Sequence, residues 1–210
     1  MIEIIFEDAD ILVCIKPAGY LSEDSEAENS LPRAIARERA LTELFAVHRL
    51  DREVSGVMVY AKSKTAAAKL SAQVADRSFE KEYLAVVEGV PADDEATLTD
   101  LLFKDSRKNK SFVVDRKRAG VKEASLSYKT IAKGDGRALV RIKLHTGRTH
   151  QIRVQFASRK MSVLGDGKYG SSVRSGEIAL ASCMIKFKHP RTNKITEFTY
   201  EPTGDWWNTI

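Results

Sequence analysis

No apolar run in this 210-residue chain is long enough to cross a bilayer. The N-terminus, Met1-Ile2-Glu3-Ile4-Ile5-Phe6-Glu7-Asp8, has acids where a secretory signal needs a basic start, and no small-residue cleavage site follows. The chain therefore reads as cytoplasmic, without membrane association. Cysteine occurs only at Cys14 and Cys183, both in apolar, strand-like contexts, so both read as buried thiols rather than a disulfide or a metal site. His48, His145, His150 and His189 show no metal-ligand spacing, and no metal is expected. His189-Pro190 reads instead as turn chemistry. There is no Gly-x-Ser-x-Gly elbow, which leaves little weight for a serine nucleophile. Gly165-Asp166-Gly167-Lys168-Tyr169-Gly170 lacks the spacing and following helix of a P-loop and reads as a structured loop. Internal repeats, low-complexity tracts and clean linkers are also missing.

What is present suits one sizeable domain, residues 1–210. The net charge of +5 is modest, but it is unevenly spread. Residues 104–122 hold Lys104, Arg107, Lys108, Lys110, Arg116, Lys117, Arg118 and Lys122 against Asp105 and Asp115. Such a cluster suits a polyanion, because each phosphate contact releases condensed counterions. A solvated hairpin tip explains the same cluster equally well.

Short strands are expected at 2–6 and 10–16, then a turn at Lys16-Pro17-Ala18-Gly19 and a mobile acidic loop at 22–30. Leu31 to Leu41 has a helical pattern, with Pro32 in the first turn and Ser30 as N-cap. Strand, turn and strand follow across 45–62, a helix from Ser63 to about Arg77, and a buried strand from Lys81 to Glu88. After the basic segment, 124–132 and 138–145 alternate like paired strands around Gly134-Asp135-Gly136. A helix is expected at Thr149 to Ser158, and strands at 178–188 and 194–200. Trp206 and Trp207 should pack the chain end onto the core. Strands outnumber helices and hairpin-like turns join most of them, which indicates an α+β fold with a mixed, mostly antiparallel sheet and flanking helices.

The most informative stretch is His48-Arg49-Leu50-Asp51-Arg52-Glu53-Val54-Ser55-Gly56, a polar turn between two apolar segments. A carboxylate held beside guanidinium groups stays ionised, which makes Asp51 a nucleophile or charge stabiliser and a poor general acid. A second dense stretch is Gly147-Arg148-Thr149-His150-Gln151-Ile152-Arg153-Val154. On a helix starting at Thr149, Thr149 and Arg153 share one side, and the N-terminus with Arg148 forms an anion site. Arg153 could reach inward as the partner of a buried acid. Tyr83, at the start of an apolar strand, reads on its own as a core tyrosine with its hydroxyl near the rim.

These three motifs, in their order along the chain, resemble those of the RluA-type pseudouridine synthases. His48-Arg49-Leu50-Asp51 with Ser55-Gly56 resembles the family's catalytic signature. Lys81-Glu82-Tyr83-Leu84-Ala85 resembles its tyrosine motif, and Gly147 to Val154 its arginine motif; Leu164-Gly165-Asp166 through Tyr169-Gly170 resembles the loop that follows. The resemblance runs from about Ile5 to Tyr200. It implies a pseudouridine synthase-like catalytic domain that converts uridine to pseudouridine in rRNA or tRNA stem-loops, with no cofactor and no obligate protein partner. It implies that Asp51 is the essential aspartate, acting as the base leaves the sugar, and that Tyr83 stacks on the base. Arg153 would pair with Asp51. It also implies flipping of the target nucleotide, since a stacked uridine cannot reach the carboxylate. Arg49 is placed to fill the vacated space or hold a phosphate. His48, Arg148, His150 and Gln151 are candidates for substrate contact or support of the site, and Leu180 for packing near the uracil. The basic segment 104–122 becomes an RNA-gripping hairpin.

The chain departs from the family pattern at Val54, where threonine is usual, at Gln155, where histidine is common, and at Leu180-Ala181-Ser182, where Leu-His-Ala is common. It starts directly on catalytic-domain strands, with no room for the small N-terminal RNA-binding domain of many relatives. Two other classes compete. A non-catalytic RNA binder would not need Asp51, Tyr83 and Arg153 together. A glycoside or nucleoside hydrolase would need a second acid near Asp51, and Glu53 is the local candidate.

Overall fold

The computed structural model describes residues 1–173 and 177–207. In chain order the elements are β1 (Glu3–Glu7), β2 (Ile11–Lys16), α1 (Leu31–Arg39), β3 (Phe45–Ala46), β4 (Ser55–Ala61), α2 (Lys64–Asp76), β5 (Glu80–Glu88), β6 (Glu95–Asp105), β7 (Lys110–Val114), β8 (Val121–Gly134), β9 (Arg137–Leu144), α3 (Gln151–Ala157), β10 (Leu180–Lys188) and β11 (Ile195–Thr199). Two compact units share the chain: Met1–Lys81 with Ala181–Pro202, and Glu82–Leu180 with Thr203–Ile210. The chain passes between them within β5, again within β10, and a third time after Pro202.

In the first unit β2 lies between β1 and β4, antiparallel to both. The other edge of β4 meets β3 near one end and β10 near the other; the β4–β10 pair is parallel, and β11 returns antiparallel on β10. β2 is buried along its whole length and β4 from its second residue onward, which is why both read as continuous apolar runs. Ile11, Val13 and Ile15 alternate onto the same face as Val57, Val59 and Ala61, and there they pack with Leu70 of α2, Phe79, Ile185 and Phe187. Each such buried aliphatic side chain contributes roughly 2 kcal/mol. Helix α2 is started by Ser63, whose hydroxyl accepts from the Ala66 N–H. Ser30 occupies the N-cap of α1 as expected, but its side chain makes no cap bond.

Two features of this unit were legible as local chemistry. Both cysteines are buried thiols. The His189 turn is closed by its own ring: Nδ1 accepts from the Arg191 and Thr192 N–H groups, so the proton sits on Nε2 and is donated to Asp8, 2.9 Å away. Asp8, Asp10 and His189 stand close enough to share an ion. The His189 proton and the Arg191–Asp10 ion pair make the group a hydrogen-bonded latch instead.

The second unit is an antiparallel sheet in the order β5-β9-β8-β6-β7. The β8–β9 hairpin turns through Asp135 and Gly136, both with positive φ, the combination that a tight two-residue hairpin loop requires. One face is apolar through Ala124, Leu126 and Tyr128 of β8 and Ala138, Val140 and Ile142 of β9. Helix α3 covers part of it: Phe156 meets Tyr128 edge-on, and Val154 packs with Leu102, Ala124 and Tyr169. Trp206 and Trp207 pack against Val86, Leu164 and Ala179. The α+β, mostly antiparallel architecture is the expected one.

Strand β6 was not expected. Its alternation is interrupted by Asp100, a charge on the inward face, which is met by Arg159 at 2.9 Å and Gln155 at 2.7 Å. The segment 104–122 is accordingly the β6–β7 hairpin together with the loop into β8. Lys104, Arg107, Lys108, Arg116, Lys117, Arg118 and Lys122 are exposed there, while Lys110 is half-buried.

Gly56 is where the parallel contact between β4 and β10 is made. Its φ is +116°, and a Cβ built on it would lie 2.2 Å from the Ser182 carbonyl oxygen. Gly56→Ala should therefore destabilise the protein by more than about 3 kcal/mol or prevent folding; urea unfolding of the purified variant measures this.

Candidate active site

Asp51 sits on the turn that leads into β4, closed by the Val54 N–H donating to the Asp51 carbonyl at 3.0 Å. The backbone on either side is clamped. The Ser22 hydroxyl donates to the Leu50 carbonyl at 2.7 Å and accepts from the Leu50 N–H at 3.0 Å. Ser22 is held in turn by the Tyr60 hydroxyl, which donates to its carbonyl. Beyond Asp51, the Arg52 carbonyl accepts from the Gly19 N–H at 2.7 Å and from the Lys16 ammonium at 3.1 Å. The acidic loop 22–30, expected to be mobile, is pinned at its base. Leu21 bonds to Asn29, Leu31 bonds back to Leu21, and the Asn29 amide donates to the Gly19 carbonyl at 2.6 Å. An open cleft of about 270 Å³ runs between Leu21–Ser25 and Arg49, Leu50 and Arg52.

The cation beside this turn is Lys16, at the position where strand 10–16 was expected to run into the Lys16-Pro17-Ala18-Gly19 turn. It is fully buried at the end of β2, and its ammonium also donates to the Pro17 carbonyl. Burial pushes its pKa down to about 8, while the nearby carboxylates of Asp51 and Glu53 pull it upward. The arginines expected to flank Asp51 face solvent instead; Arg49 pairs with Glu23 at 3.2 Å on the surface. Strand period carried the signal for Lys16, because it falls in phase with Leu12 and Cys14 on an otherwise apolar strand.

His48 is buried. Its Nε2 accepts from the Val59 N–H at 3.2 Å and its ring lies 5.2 Å from Phe79. Burial, helped by the nearby Lys81 charge, pushes its pKa down to about 3, so the ring is a neutral support of β4.

The arginine motif lies in the second unit and differs from the expected geometry. His150 adopts φ +52°, so α3 starts at Gln151 and Thr149 is outside it. Thr149 and Arg153 therefore do not share a helical face. The expected anion site is also replaced by local bonds. The Arg148 Nε donates to the Glu123 carbonyl, its N–H donates to the Gln151 side chain, and the Gln151 N–H donates to the Arg148 carbonyl. Gln151 accepts further from the Thr146 hydroxyl and donates to the Ser125 carbonyl.

Arg153 is buried, and an acid in its own unit grips it side-on. Nε lies 2.6 Å from Asp166 Oδ2 and Nη2 lies 2.9 Å from Oδ1. The guanidinium carbon lies over the Tyr169 ring at 5.3 Å from its centre, and the Tyr169 hydroxyl accepts from the Ser111 N–H and meets His150 Nδ1 at 2.9 Å. Tyr83 is buried on β5 opposite Ile142, and Leu180 is buried at the start of β10. Gln155, in place of the common histidine, spends its amide on Asp100 and the Leu98 carbonyl.

Lys16 has a measurable signature. Its folded pKa of about 8 lies below the ordinary 10.5, so between those values the unfolded chain binds more protons and stability rises with pH. Cys14 acts oppositely above its ordinary 9.0, because burial pushes the folded thiol up to about 12. From pH 8 to 9 the unfolding free energy should therefore rise by about 0.6 kcal/mol, and Lys16→Met should remove that rise in denaturant titrations.

The family model described as RNA pseudouridylate synthase matches residues 10–158. The ribosomal large subunit pseudouridine synthase D of Zymomonas mobilis is 32% identical over 97% of this chain and 70% of its own length. An RNA pseudouridine synthase of Aquifex aeolicus is 37% identical, covering 95% of this chain and 69% of that protein. Human RNA pseudouridylate synthase domain containing 1 shares the fold, with a TM-score of 0.81 at 22% identity over 96% of this chain and 84% of that one. With three ordered motifs, a matched fold and relatives of this identity, the chain belongs to the RNA pseudouridylate synthase family, whose members are isomerases acting on RNA.

Proposed function

We propose that the protein isomerises specific uridines in ribosomal RNA to pseudouridine, with Asp51 as the essential carboxylate. The observation that carries this reading is the clamped turn of Asp51, where both neighbouring peptides are bonded to fixed groups and a buried ammonium lies nearby. The reaction breaks the bond between N1 of uracil and C1′ of ribose. Positive charge develops on the sugar, and a preorganised carboxylate meets it by bonding to the sugar or by its field. The uracil turns, C5 bonds to C1′, C5 loses its proton and N1 gains one. Atoms and charge balance without a cofactor. In this reading Tyr83 stacks on the base and assists removal of the C5 proton, and Arg153 supplies a fixed guanidinium. The target uridine is flipped out to reach Asp51. Arg49, exposed beside the turn, takes the vacated space or a phosphate. His48, His150 and Gln151, which are bonded internally, support the site. Ribosomal RNA is preferred over tRNA because a relative spanning nearly the whole chain carries a large-subunit name. This chemistry belongs in the cytoplasm, with RNA as the partner.

A pseudouridine map of total RNA, in cells with and without the gene, should lose one or a few rRNA positions. Asp51→Ala should abolish product on the unmodified rRNA transcript while RNA binding stays within about threefold. Retained turnover overturns the role of Asp51. Release of free uracil points to a hydrolase, and binding without product to a non-catalytic RNA binder.

The exposed cations of the β6–β7 hairpin and its following loop are proposed to grip RNA phosphates. Replacing Arg116, Lys117 and Arg118 together with glutamine should weaken binding and lower the slope of log affinity against log salt by about 2. Filter binding across a salt series checks it; an unchanged slope removes this segment from the interface.

A further inference from the structure

We propose that Asp166 is a positioning residue for the reaction: it fixes the plane and direction of the Arg153 guanidinium. The proposal rests on the reading of Arg153 given above. Asp166 and Arg153 are 1% and 2% exposed. The carboxylate uses both oxygens, on Nε and Nη2, at 2.6 and 2.9 Å. A side-on fork of this kind sets orientation as well as distance, which a single ion contact does not.

Asp166 is itself immobilised through its backbone. Its N–H donates to the Val163 carbonyl, and its carbonyl accepts from the Tyr169 and Ser171 N–H groups, each at 3.0 Å. Those bonds wind residues 163–171 into a tight loop around it. The guanidinium carbon lies over the Tyr169 ring, 5.3 Å from its centre, and the ring is anchored by its hydroxyl between Ser111 and His150. The left-handed backbone of His150 directs that ring nitrogen to Tyr169. Motif residues 150 and 153 and loop residues 166 and 169 thus form one assembly, and two guanidinium nitrogens are committed to it.

An acid that only neutralised a buried charge would act on stability and would tolerate a shift of the carboxylate. An acid that orients the guanidinium acts on the chemical step, and a displacement of about 1 Å costs on the order of 100-fold in rate. The test is single-turnover conversion of the unmodified rRNA transcript on which the wild-type protein is active, at saturating enzyme, with RNA affinity measured in parallel. Asp166→Asn and Asp166→Glu should each slow the chemical step about 100-fold with affinity within about threefold of wild type. The glutamate variant keeps the charge and moves it by one methylene, so it also decides the matter if the asparagine variant does not fold. In an Arg153→Lys background, which lacks the fork, Asp166→Glu should add less than about threefold.

Wild-type rates in folded Asp166→Glu, with Arg153→Lys slow, overturn the positioning role and leave the reading of Arg153 intact. A wild-type rate in Arg153→Lys overturns that reading and the positioning role with it. A direct signature is available on the wild-type chain. The Arg153 Nε–H should exchange with solvent at least about 100-fold more slowly than exposed arginine side chains in nitrogen-15 spectra. Exchange at the exposed rate also overturns the proposal.

Discussion

A full positive charge out of water has to be met by oxygen, and the loops around Lys16 and Arg153 are each organised around that requirement. A lone buried ion is costly enough that it would shed its charge or unfold its surroundings. Lys16 is met by two peptide carbonyls and by the field of Asp51 and Glu53. Arg153 is met by the two oxygens of Asp166. Each cation draws a loop toward it. Residues 16–22 and 50–52 close onto each other in the first unit, and residues 163–171 close beneath α3 in the second.

The two solutions differ because the cations differ. An ammonium is a compact charge with three rotatable donors, so Lys16 can bind carbonyls that belong to different loops and depends little on their angle. A guanidinium presents a planar fork, and it is satisfied best by a carboxylate in the same plane. The lysine therefore joins backbone to backbone, whereas the arginine is oriented by a side chain.

Rigidity of this kind fits the proposed reaction, in which charge appears at one sugar carbon. Donors and carboxylates that are already in place need no rearrangement as the bond to the base breaks. The neutral, buried His48 and the internally bonded Gln151 belong to the same scheme. They are polar residues inside conspicuous motifs, yet their hydrogen bonds go to backbone and to neighbouring side chains. Exposed charges lie elsewhere, among them Arg49, Arg52 and those around the β6–β7 hairpin.

The strands were legible because burial writes itself into the chain at short range: β2, β4, β8 and β9 show period-2 alternation or unbroken apolar runs, and Asp135-Gly136 supplies the positive-φ turn. The three motifs were legible for the same reason, being local clusters of unlike polar groups. Strand β6 was hidden by Asp100, an inward charge whose partners Gln155 and Arg159 lie more than fifty residues away. Helix α3 begins two residues later than the local pattern at Thr149 predicts, because His150 adopts a left-handed backbone and its ring meets Tyr169 from a remote loop. The sequence by itself determined which segments are strands and which residue types each motif offers. Only the tertiary structure decided which oxygens meet Lys16 and Arg153. Pairing of buried charges depends on distances between segments that are remote in sequence, and no local pattern encodes those distances.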